Sequence, residues 1–173
     1  MKRFDGFDRF TMLAIAALIS AAVFIGATDN TASVDRAVKK AAKAPTDPKV
    51  VAKAEAARLM LEAGQVREAI DGLKAAEAEA PAYGEPHALL GLAYAKTMEY
   101  PLAMKEFRLA LLIDPDYIDS KSPKFIGKRI KAAVKEAKPL VVAAVGKMPG
   151  DAAARATLGD TQYIERMLAG GCE

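Results

Sequence analysis

Few side chains in this chain of 173 residues could carry covalent or metal chemistry. There is one histidine, His87, and one cysteine, Cys172, so neither a multi-histidine metal centre nor an internal disulfide can be built. His87 follows Pro86 in the first turn of an expected helix, where histidine packs or caps, and no second ligand stands at a useful spacing. No metal is expected there. Cys172 lies in Gly170-Gly171-Cys172-Glu173 and reads as a terminal thiol. The sharper alternatives are an intermolecular disulfide in an exported domain or lipid attachment in a cytosolic one. Acids such as Glu62 and Glu99 show no pairing that marks a general acid and base. Glycine-rich phosphate loops, CxxC pairs, haem-attachment motifs and HExxH helices are all absent from the sequence. No catalytic residue, no cofactor and no enzymatic activity are therefore expected.

Charge is the remaining chemistry. Residues 121–138 hold seven Lys or Arg and a single acid, Glu136, a local +6 inside a molecule of net +3. Lys124, Lys128, Lys131, Lys135 and Lys138 follow one another at spacings of 4, 3, 4 and 3, which on a helix makes one continuous stripe. Such a stripe either solvates an outward face or meets an acidic partner or anionic lipid headgroups. Nucleic acid is not expected, since the net charge is small and no aromatic residues interleave with the basic ones to stack bases.

The elements that carry these residues are helical. Apolar residues make up 52% of the chain, yet aromatics are only 6%, Trp is absent and much of the total is alanine, a composition for close-packed helices rather than strands. Residues 11–27, Thr11 to Ala27, run without a charge, near the lower length for a transmembrane helix. The nearer basic residues Lys2, Arg3 and Arg9 precede it and Arg36 follows, which favours a cytoplasmic N-terminus. An uncleaved signal-anchor is expected. The alternatives are a removed signal peptide, cut at Ser20-Ala-Ala22 or Ile25-Gly-Ala27, and a pilin-like N-terminus processed after Gly6, ahead of Phe7.

Beyond residue 47 the chain repeats. A shift of 34 residues aligns Ala69, Leu73, Ala76 and Pro81 with Ala103, Phe107, Ala110 and Pro115, and then with Ala137, Val141, Ala144 and Pro149. The unit from Gly84 to Tyr117 adds Leu90, Gly91 and Tyr94. Small residues seven apart with Phe107 between them suit a close helix crossing, and Gly91 removes a side chain on the facing helix. Thr46-Asp47-Pro48, Glu85-Pro86 and Ser122-Pro123 read as helix starts. Helices are expected near 48–63, 66–79, 86–98, 101–113, 123–137, 139–147 and 151–169. Leu158-Gly159, 68 residues beyond Leu90-Gly91, marks the last as a lone first helix that closes the stack.

This pattern resembles the tetratricopeptide repeat family, with His87 where the family has Trp. The resemblance covers residues 48–169 and implies an all-α fold: a short right-handed helical-repeat solenoid of about three helix pairs plus a capping helix, preceded by a single transmembrane helix. The expected organisation is a flank at 1–10, the anchor at 11–27, a linker at 28–47, units at about 50–83, 84–117 and 118–151, a cap at 152–169 and a tail at 170–173. It further implies a scaffold that binds proteins along the groove lined by the first helix of each pair. By offset, the groove residues are Arg58 and Glu62, then Glu85, Leu92 and Lys96, then Ile126 and Arg129. The asparagines of the family's carboxylate-binding variety are missing. The expected protein is a membrane-anchored adaptor or assembly subunit of a bacterial membrane or envelope complex, its repeat domain periplasmic at the inner membrane. The alternative is a subunit or accessory of a pilus or secretion assembly.

Overall fold

A computed structural model describes residues 47–170. The expected anchor at 11–27, most of the linker and Cys172 lie outside the described residues. All regular structure among the described residues is helical: α1 (Pro48–Glu62), α2 (Val66–Glu79), α3 (Gly84–Lys96), α4 (Tyr100–Ile113), α5 (Gly127–Lys147) and α6 (Ala152–Gly170). A 3₁₀ turn, Pro115–Ile118, follows α4. None of these helices is long and apolar enough to cross a membrane.

The first four helices form two antiparallel pairs because their connections are too short for anything else. Asp47 opens α1 by accepting from the Lys49 amide at 2.8 Å, with Pro48 in the first turn, as the sequence predicts. The turn from α1 to α2 uses Gly64 at φ 83°, and the turn from α3 to α4, 34 residues on, uses Met98 at φ 61°. The same left-handed conformation closes both turns, supplied once by glycine and once by a residue that adopts it at a cost. In the second pair the helices touch. A Cβ on Gly91 would lie 2.5 Å from the Phe107 ring, so only glycine permits this crossing.

Ala54, Ala57, Ala69, Ala76, Ala103 and Ala110 are all essentially buried at the seams, with Leu73, Leu90, Met104, Phe107 and Leu111 filling the space between. α4 is the central element and packs on α3, α5 and α6. Arg108 on α4 reaches Asp160 on α6 at 3.5 Å and stacks 5.5 Å from the Tyr163 ring. The Tyr100 hydroxyl donates to Glu136 on α5 at 3.1 Å.

The third pair departs from the sequence pattern. Residues 123–137 and 139–147 are not two helices, because α5 runs unbroken for 21 residues with Pro139 inside it. Pro139 lies on an exposed face, where the missing amide costs one backbone bond to the Lys135 carbonyl at the solvent side. Nor does Ser122-Pro123 start a helix. The Ser122 hydroxyl accepts from the Lys124 amide at 3.1 Å, and the Ile126 amide donates to the Tyr117 carbonyl at 2.9 Å, so these residues form a turn pinned to the 3₁₀ segment. α6 is then the partner of α5 rather than a lone cap. A Cβ on Gly159 would meet nothing within 4 Å, so Leu158-Gly159 does not repeat the crossing at Leu90-Gly91.

Candidate partner-binding cleft

One face of α3 carries Glu85, Ala88, Leu89, Leu92 and Lys96, spaced so that all five point the same way. That face, with α1 on one side and the turn into α5 on the other, lines an open cleft of about 440 Å³. All seven groove residues derived by offset border it: Arg58 and Glu62 from α1, Glu85, Leu92 and Lys96 from α3, Ile126 just before α5 and Arg129 in its first turn. The floor is apolar. Leu61, Leu89 and Leu92 are nearly buried even though they line it. Offset reasoning missed Tyr83, Tyr117 and Phe125, which also line it and come from the connections between helices, where a helical period carries no information.

The rim is charged and mostly internally satisfied. Arg58 donates to Glu55 at 2.9 Å and to Glu62 at 3.2 Å, and the Glu55 bond raises the Arg58 pKa above its ordinary value. The Tyr83 hydroxyl donates to Glu85; burial first, and then this carboxylate, push the phenol pKa up and keep it protonated. Lys96 donates to the Leu61 carbonyl at 3.3 Å, capping the end of α1 with a charge that no carboxylate offsets among the described residues. Arg129 makes no ion pair among the described residues. Lys96 and Arg129 are therefore the cations the cleft leaves uncompensated.

The basic stripe is shorter than its spacing suggests. Lys124 lies in the turn before α5, borders the cleft and pairs with Asp114 at 2.7 Å, a bond that holds its pKa up. Lys138 pairs with Glu165 on α6 at 2.7 Å. Lys128, Lys131 and Lys135 remain exposed on α5 without ion pairs among the described residues. Beside an anionic surface, at about 1 kcal/mol per basic residue, these three would supply roughly 3 kcal/mol.

A second polar cluster is buried between α2, α3 and α4. His87 Nδ1 lies 2.7 Å from Glu106 and 3.9 Å from Glu77, and Nε2 donates to the Pro81 carbonyl at 3.0 Å. Burial lowers the His87 pKa, but the Glu106 bond, the Pro81 carbonyl and the charges of both glutamates outweigh it and hold it above the usual value. The sequence holds one sign of this cluster: Glu106 stands between Ala103 and Ala110 on the face that packs inward. Glu77 carries no such sign.

Comparison with protein-family models, with curated proteins and with solved structures finds no match.

Proposed function

We propose that this chain is a membrane-anchored, tetratricopeptide-like scaffold that holds a segment of a partner protein in the cleft formed by α1, α3 and the start of α5. One observation carries the reading: residues assigned to a groove by a 34-residue offset border a single open cleft with an apolar floor and a charged rim. In this reading three helix pairs make a short right-handed solenoid, held to the bacterial inner membrane by residues 11–27 and displayed in the periplasm. It serves there as an accessory or assembly subunit of a membrane or envelope complex and catalyses nothing. Leu61, Leu89 and Leu92 accommodate apolar side chains of the partner, while Lys96 and Arg129 select acidic groups.

The test is a pull-down from detergent-solubilised membranes with the full chain, compared with the triple variant Arg58→Glu, Lys96→Glu, Arg129→Glu. Loss of the partner with unchanged helical content supports the cleft. A partner retained by the folded triple variant rejects it. The intact N-terminal mass, read on the same sample, separates the uncleaved anchor from removal of a signal peptide and from processing after Gly6.

A further inference from the structure

The buried histidine is arranged for more than packing. A carbonyl only accepts, so the 3.0 Å bond to Pro81 fixes a proton on His87 Nε2 and turns Nδ1 toward the two glutamates. An imidazole with one N–H tied to a backbone carbonyl and its other nitrogen facing carboxylates is the arrangement that orients metal-ligating histidines. His87, Glu106 and Glu77 each offer one ligand atom, and these three atoms lie within 4.8 Å of one another. A nitrogen lone pair and a buried carboxylate are unfavourable face to face, so a proton or a metal ion belongs between them. We propose that His87, Glu106 and Glu77 form a binding site for a divalent transition-metal ion of the zinc type, which enters in exchange for the Nδ1 proton.

Charge favours the exchange. With a proton, the imidazolium and two carboxylates sum to −1, whereas a divalent ion with a neutral imidazole and the same carboxylates sums to zero, the better state for a buried cluster. The lysine beside it, Lys105, reaches the other Glu106 oxygen only at 3.7 Å from an exposed position. Size is also suitable. Around a tetrahedral ion with bonds of about 2.0–2.1 Å, ligand atoms stand roughly 3.3 Å apart, and the 2.7 Å and 3.9 Å separations straddle that value. His87 and Glu106 are buried, while the Glu77 side chain is 28% exposed, so it is the arm that gives an ion access and leaves a position for water. One nitrogen with two oxygens selects zinc-like ions over calcium or magnesium. Because the ligands come from α2, α3 and α4, the ion would tie three helices together.

The full chain, in detergent and stripped with chelator, is titrated with Zn²⁺ by calorimetry in buffers of different ionisation enthalpy at neutral pH. One ion per chain, about one proton released and a raised thermal midpoint are expected. Glu77→Gln, partly exposed and outside the close His87–Glu106 pair, should lower the metal-free midpoint only slightly and weaken Zn²⁺ binding at least tenfold, while Cys172→Ser should leave binding unchanged. No stoichiometric uptake, uptake that survives Glu77→Gln, or uptake lost with Cys172→Ser would each overturn the proposal.

Discussion

The pair α3/α4 and the pair α5/α6 are both helical and are held differently. Ten of the thirteen residues of α3 are buried, because it is covered by α4 on one side and by its neighbours on others. Only Thr161 and Ile164 are buried among the nineteen of α6. In the centre nearly every position is constrained by a contact, so residue type reports structure closely. At the end one face is open, residue type is free to drift, and a repeating pattern there no longer says which helix it lies on.

That contrast can be broken most directly by cutting a large, fully buried side chain from each pair. Phe107→Ala should cost about 4 kcal/mol in urea unfolding, and Ile164→Ala, also fully buried but in the thinner pair, about 2 kcal/mol. Equal losses would mean that the end pair is as integral to the fold as the centre. Next in size, His87→Ala should cost about 3 kcal/mol because it leaves Glu106 buried with only the distant Lys105 ammonium at 3.7 Å, and the double variant His87→Leu, Glu106→Leu should recover most of the loss. The sign of the pH dependence follows from the raised His87 pKa. In chelator, this contribution is fully present below the unfolded value near 6.5 and is lost as pH rises through the higher folded value. Glu77, Glu106 and Lys105 are the charged groups that face the imidazole, and a stability profile indifferent to His87→Ala across that window would contradict the ion pair.

Two glycines sharpen the comparison. Gly91→Ala drives a methyl into the Phe107 ring and should destabilise by about 2 kcal/mol, while Gly159→Ala meets open space and should stabilise α6 by roughly 0.5–1 kcal/mol. Thermal melts of the two variants should move in opposite directions. The smallest effect belongs to the turn between α3 and α4. Met98 is exposed and left-handed, so Met98→Gly should raise stability by up to about 1 kcal/mol, and a lower melting temperature would show that its side chain matters to the turn.

The same contrast explains what the sequence made legible. The all-helical architecture, the start at Asp47-Pro48 and the close crossing at Gly91 and Phe107 could all be read, because each depends on local capping or on residue size at a contact. The groove residues share one cleft for the same reason, their offsets counting turns of well-packed helices. Pro139 misled because a proline on an exposed helical face removes only one bond, too little to break a helix held by Ile130, Val134, Ala137 and Val141 beneath it. The alanine spacing at Ala137 and Ala144 marks a helix face, and it does so equally well on the first or the second helix of a pair. Lys124 fell outside the stripe because Ser122 offered the backbone a local turn. The meeting of Glu77, His87 and Glu106 depends on three helices packing, which no single segment encodes.

If the cleft holds a guest as proposed, the Lys96 bond to the Leu61 carbonyl would couple its occupancy to the end of α1. In the proposed reading, an acidic guest that draws the ammonium away leaves the Leu61 carbonyl at the end of α1 with backbone donors alone, the Gly64 amide at 3.3 Å among them. In that reading, affinity for such a guest would be reduced by the cost of losing this bond, and its arrival should be visible as faster amide exchange at the end of α1. A guest without an acid leaves the lysine in place and the helix closed. In the proposed reading, one side chain would make the cleft report the charge of whatever fills it.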